Sequence, residues 1–197
     1  GVIDFATTIA PGVRDVLLTG KVYEAAKRKV NGQFQYDAIV MDAPPTGRIT
    51  RFLSVNQEVA GLAKVGPVRR QADSIMTMMR SRSTRVHLVT LLEEMPVQET
   101  LDGLAELRHA SLPTGTVIAN MVEPALITAP TAKALKADAL TVDDVRSELS
   151  GIGLNPDAAE TLLNVGRDHL ERQQLQTSQR KALKDESVVE LPTLDYA

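Results

Sequence analysis

One stretch constrains this chain more than any other: YDAIVMDAPPTGRITRFL, residues 36–53. Ala38, Ile39, Val40 and Met41 form an unbroken apolar run that closes on a carboxylate, Asp42, and gives way at once to Pro44, Pro45, Thr46 and Gly47. An apolar run without alternation predicts a strand buried on both faces, as in a parallel sheet. Parallel sheets bind their ligands beyond the carboxyl ends of their strands. Asp42 therefore reads either as a ligand-facing acid at a strand end or as the first residue of a solvated turn, and the rest of the sequence must separate the two.

The order of the other segments favours the first reading. Pro11–Arg28 carries Val13, Val16, Leu17, Val22 and Tyr23 mostly on one helical stripe, with basic residues towards its carboxyl end, where the helix dipole favours them. Asn31-Gly32 marks a turn ahead of the strand at 36–41. From Ser54 to Arg85 the pattern is helical, broken at VGPVRR, and includes a patch of Ile75, Met76, Met78 and Met79. RVHLVTLL (85–92) is a second strand candidate, TVIAN (116–120) a third and SVVELP (187–192) a last one, with a helix over 95–110 between the second and third. Residues 128–186 hold no strand candidate, and Thr141 and Asn155-Pro156 read as helix openings within them. Strands alternating with helices predict βαβ units. The expected fold is α/β: one domain over residues 1–197 with a doubly wound, mostly parallel sheet, helices on both faces, and helical insertions at about 54–85 and 128–186 that form a small helical subdomain.

Composition excludes several classes. Lys and Arg number 22 against 25 Asp and Glu, a net charge of −3, and aromatic residues make up 3%. A nucleic-acid surface needs a clustered basic face and stacking rings, so no nucleic-acid partner is expected. Cysteine is absent, which removes disulfides, thiolate metal sites and cysteine nucleophiles from this chain and fits a reducing compartment. No apolar run reaches the roughly 20 residues that a helical membrane span requires. No pair of histidines has metal-ligand spacing. His87, between Val86 and Leu88, reads as a core residue, and His109 and His169 as residues of exposed helix faces. The methionine patch reads as core packing or a dimer interface ahead of a groove for apolar helices.

Within this frame DAPPTGRITRFL resembles DTAPTGHTLRFL, a signature of the arsenite-pump and guided-entry targeting ATPases, which are deviant P-loop enzymes. PGVRD (11–15), the Glu99-Thr100 pair, Asn120 at the end of TVIAN, the arginine- and glutamine-rich HLERQQLQTSQRKAL and the closing VVELPTL resemble further segments of that family in the same order. The chain departs from the pattern at Ala43 and Pro44, which replace threonine and alanine, and at Arg48, which replaces histidine. It also lacks a G-x-x-x-x-G-K-[ST] sequence. By the family's order the P-loop, its strand and the first switch would precede Gly1, so the resemblance implies the carboxyl-terminal portion of an incomplete P-loop fold, inactive by itself.

The resemblance implies ATP and Mg²⁺ as cofactors. Asp42 would be the catalytic acid that holds the magnesium ion through its water shell. Thr46 and Gly47 would form a loop responding to the γ-phosphate. Asn120 would face the adenine edge, with Pro192 near the ring. Arg48 and Arg51 would pair with a second subunit or sense nucleotide, or else remain solvated. The whole protein would be a cytoplasmic ATPase working as a homodimer or paralogous heterodimer, with a membrane-protein client or membrane partner. The alternative is a degenerate partner subunit that binds nucleotide without turnover. The cargo is not encoded in any motif here.

Overall fold

A computed structural model describes residues 11–62 and 65–194, which fall into two compact units. The first comprises residues 1–88 and 98–116, the second 89–97 and 117–197.

The first unit is mainly helical. Helix α1 spans Pro11–Lys27, as the apolar stripe predicts. A short antiparallel hairpin follows, β1 Lys29–Val30 and β2 Gln33–Phe34. Its turn is Asn31-Gly32, with φ of 52° and 82°, the left-handed pair that a two-residue hairpin needs. Helix α2 spans Thr46–Leu62 and α3 Pro67–Met79, separated near VGPVRR as expected. Pro67 opens α3, where its missing N–H costs nothing, and Gly66 before it adopts φ 107°. Ala72, Ile75, Met76 and Met79 are buried at helical spacing, so the methionine patch is core, with Met78 half-buried beside it. Helix α4, Glu94–His109, contributes Leu104 and Leu107 to this unit's core.

The strand expected over Tyr36–Met41 does not form. The segment is irregular, its residues up to Val40 are exposed, and Val40 is 95% exposed. A strand exists only as one side of a ladder, and among the described residues nothing pairs with this run. His87 also differs from expectation. Val86 and Leu88 are buried, so the alternation of an extended chain turns His87 to the open face, where Nδ1 lies 3.0 Å from the Thr116 carbonyl.

The second unit holds a parallel sheet of three strands in the order β3 (Val89–Thr90), β4 (Val117–Val122) and β5 (Val188–Pro192). Val89 pairs with Ile118, and Ile118 with Val189. Between Ala119 and Val122 the register slips: β4 advances three residues while β5 advances two, from Glu190 to Pro192. Met121, at φ 54°, absorbs the extra residue, so Val122 regains the buried side and Met121 turns outward.

Residues 128–186 are helical, as expected: α5 Ala129–Lys136, α6 Val142–Gly151, a 3₁₀ turn at Pro156–Ala158 and α7 Ala159–Ala182. Thr141 caps α6 in a reciprocal capping box with Asp144, whose carboxyl is held below its ordinary value first by the Thr141 hydroxyl and then by the Thr141 backbone. Leu135, Leu163 and Leu170 form the local core, with Ile127, Leu140 and Val145 against it. Arg180 on α7 grips Glu190 on β5 with both arms of its guanidinium, at 2.6 and 2.9 Å.

Candidate functional site

In the first unit the residues singled out in the sequence lie together at the start of α2. Asp42 is exposed on the approach to the helix and has no hydrogen-bond or ion-pair partner among the described residues. Pro44 and Pro45 lead straight into the helix, and Thr46 and Gly47 are its first residues, so they belong to a helical turn and not to a free loop. The amides of such a first turn have no partner within the helix; that of Arg48 is taken by the Pro45 carbonyl at 2.9 Å. Arg48 and Arg51 project to solvent without an ion-pair partner among the described residues.

Helix α2 forms because Ile49, Phe52, Leu53, Asn56 and Ala60 recur at three- and four-residue intervals, and all are buried. Two features missed by sequence reasoning fix its position. Asn56 donates to Thr19 Oγ1 at 2.7 Å, and Thr19 in turn donates to the Asp15 carbonyl at 2.8 Å, making a buried polar tie between α2 and α1. The second is Gly103 on α4, where a Cβ atom would lie 2.5 Å from Thr46 Cγ2. A methyl group there would displace Thr46, so the start of α2 is seated on a gap in α4. The available signal was an isolated glycine inside a strong helical pattern, which often marks close packing.

The second unit brings Asn120 and Pro192 to the same end of its sheet. Asn120 is half-buried on β4 just before the bulge, its carboxamide unpartnered among the described residues, and Pro192 closes β5 opposite Val122. Beyond the carboxyl ends of the strands lies a cavity of about 730 Å³. Leu91, Leu92, Met95, Met121 and Leu175 supply apolar wall, and Glu93, Glu94, Glu123, Arg172 and Gln176 supply polar groups. Glu123 is held by Arg172 and by His169, whose Nδ1 lies 3.2 Å from Oε2. His169 is therefore a half-buried member of a polar cluster and not a residue of an open helix face. Gln173 donates to the Pro124 carbonyl at 3.3 Å and sits 2.9 Å from His169 Nε2.

Among the described residues no cluster of three or more His, Asp or Glu side chains could cage a metal ion. The donor set fits a magnesium ion held by one carboxylate acting through water, the mode a single unpartnered aspartate can support. Among the described residues, no helix is long and apolar enough to cross a membrane.

Comparison with known proteins agrees with the family indicated by the Asp42 segment. Residues 1–82, which contain α1, the Asp42 segment, α2 and α3, match the model of the anion-transporting ATPase family. Beyond this segment, ATPase BagA of Mycobacterium tuberculosis is 50% identical over 161 residues, covering 80% of this chain and 47% of the relative. Mb3704 of Mycobacterium bovis, which bears a provisional ATPase name, matches to the same extent. The chain thus spans about half the length of the curated relatives it matches.

Proposed function

We propose that this chain is part of an ATPase of the anion-transporting family, in which binding and hydrolysis of Mg-ATP switch the arrangement of a dimer. The observation that carries the reading is the segment DAPPTGRITRFL. It lies within the stretch that matches the family, and its acid stands without a partner among the described residues, just ahead of a helix amino terminus. Asp42 would hold a magnesium ion by accepting hydrogen bonds from its water shell, and the ion would supply charge neutralisation at the phosphates. Thr46 and Gly47 report the γ-phosphate through the first turn of α2, whose free amides and dipole favour an anion. Asn120 and Pro192 serve the adenine side. The nucleotide-binding domain of the whole protein is then a doubly wound sheet, in a cytoplasmic protein that serves a membrane-associated client.

The test is phosphate release by the full-length protein. Asp42→Ala is expected to reduce turnover by at least about 100-fold, the scale seen when one electrostatic contributor to a transition state is removed. Unchanged turnover in that variant would remove the assignment. The second reading, a partner subunit that binds nucleotide without hydrolysing it, draws its support from Ala43, Pro44 and Arg48, where the chain leaves the family's pattern. Nucleotide binding by the wild-type protein with no phosphate release would favour it.

A further inference from the structure

We infer that the groove bounded by α1, α2 and α3 binds a single-chain amphiphile with a carboxylate head, a free fatty acid by class. It is independent of the nucleotide site: every residue involved lies on these three helices, and binding is read without nucleotide.

The groove encloses about 690 Å³, within the size range of small-molecule sites. Its α1 wall runs from Val16 to Arg28, about 18 Å at the rise of an α-helix. Along that wall the chemistry divides. Val16, Leu17 and Gly20 occupy the amino-terminal part. Among the described residues, every ionisable side chain lining the groove lies in the carboxyl-terminal part: Lys21, Tyr23, Glu24, Lys27 and Arg28. The walls from α2 and α3 carry Val59, Val68, Ala72 and Ile75 with two uncharged amides, Asn56 and Gln71, and Asn56 is already committed to Thr19. Leu17 on α1 and Val68 on α3 are 56% and 58% exposed, so apolar surface stands open on both.

Gly20 is a second, independent observation. It sits inside the 17-residue helix α1, where glycine is less favourable than alanine. A Cβ at this position would meet no atom within 4 Å, so packing inside the protein does not require the glycine. Gly103 is the opposite case, since its Cβ would collide with Thr46. What a side chain at position 20 would occupy is the groove itself.

Charge selects the head group. Glu24 is shared by Lys21 at 3.4 Å and Arg28 at 2.7 Å. Lys27 donates to the Tyr23 hydroxyl, lies 4.2 Å from the centre of that ring, and has no carboxylate partner among the described residues. Three cations against one acid leave this end positive, and the cation without an acid calls for a monoanion such as a carboxylate. The uncharged remainder of the walls calls for a hydrocarbon tail. An acidic amphipathic helix would present carboxylates at intervals along its length. Cations confined to Lys21–Arg28 answer a single head instead.

The experiment is calorimetric titration of the full-length protein with dodecanoate, hexanoate and dodecyltrimethylammonium. Dodecanoate should bind saturably, one per chain. Each buried methylene strengthens binding by about fourfold, so hexanoate should bind at least about tenfold more weakly even with partial burial. Dodecyltrimethylammonium has the same tail and the wrong charge, and should also be at least about tenfold weaker. Gly20→Leu improves helix propensity and fills the groove, so it should keep the wild-type Tm and weaken dodecanoate at least about tenfold. Lys27→Gln, a change at an exposed side chain, should narrow the discrimination between the two head groups. The inference is overturned if dodecanoate does not bind saturably, if the cationic amphiphile binds as well, or if Gly20→Leu retains wild-type affinity. Binding of an acidic amphipathic peptide without binding of dodecanoate would assign the groove to a protein partner and overturn it too. The ATPase reading survives each of these failures, because it is tested at Asp42.

Discussion

Two apolar runs in this chain look alike on paper and end differently. Ala38–Met41 and Val117–Ala119 are both short, continuous and followed by a polar residue, Asp42 in one case and Asn120 in the other. In β4 the run is flanked on both sides by parallel neighbours, and Ala119 is fully buried. In the segment before Asp42 there is no ladder among the described residues, and Val40 stands almost wholly in solvent. The difference is not one of propensity, since Ile and Val dominate both. An apolar run declares what a segment would gain from burial; only neighbouring strands can supply the backbone partners that make the burial affordable.

The largest test of this contrast places a charge in each run. Ala119→Asp puts an unpaired carboxylate into the sheet and should cost about 3–5 kcal/mol, read as loss of cooperative urea unfolding. Val40→Asp in the same chain should stay within about 0.5 kcal/mol, as exposed substitutions do. If Val40→Asp proves comparably damaging, the run is buried in solution and the contrast breaks. In any longer polypeptide that supplies a strand against residues 36–41, the Val40 variant should move towards the Ala119 result.

A middle-sized effect sharpens the other end of the exposed run, where Thr46 anchors it. Gly103→Ala gains helix propensity of about 1 kcal/mol, but the new methyl meets Thr46 Cγ2 at 2.5 Å. Overpacking of this kind costs about 1–3 kcal/mol. A net loss of stability is expected, and Thr46→Ser, which removes the offending methyl, should recover part of it in a double-mutant cycle. Additive behaviour of the two substitutions would show that the contact is not what limits the site.

The smallest effect concerns the clamp that secures β5 beside β4. The Arg180 hydrogen bonds are the main cause that holds the Glu190 carboxyl below its ordinary value. A depressed carboxylate contributes stability above its unfolded pKa, about 4.3 for Glu, and loses it as pH falls through the lower folded value. Both side chains are more than a third exposed, so the contribution is less than about 1 kcal/mol. Glu190→Gln should therefore lower the melting temperature slightly at pH 7, and the gap from wild type should narrow as pH falls below about 4.3 and vanish once the folded carboxyl is protonated. A gap that persists at pH 2–3 would assign the effect to packing.

Helices were the most readable part of the sequence. Their stripes and openings depend on residues three or four apart: α1, α6 and α7 begin close to where Pro11, Thr141 and Asn155-Pro156 indicate, and α2 and α3 part at VGPVRR. The Asn31-Gly32 turn was equally readable, because φ above zero is a property of those residues themselves. The resemblance to the family likewise was carried locally, by the Asp42 segment, which lies within the matched residues 1–82. Less of the candidate site could be read. Asp42, Thr46 and Gly47 were visible as a motif, but not that Thr46 and Gly47 belong to a helix, nor that Gly103 makes room for them.

The sequence by itself determined the alternation of elements, the helix starts, the tight turn and the family resemblance of the Asp42 segment, since each is carried by residues close together in the chain. Only the tertiary structure decided which apolar run became a strand, which glycine is a contact and which buried amide ties two helices together. Those outcomes depend on neighbours distant in the chain, Gly103 for Thr46 and β4 for β5, and no local pattern records who those neighbours will be.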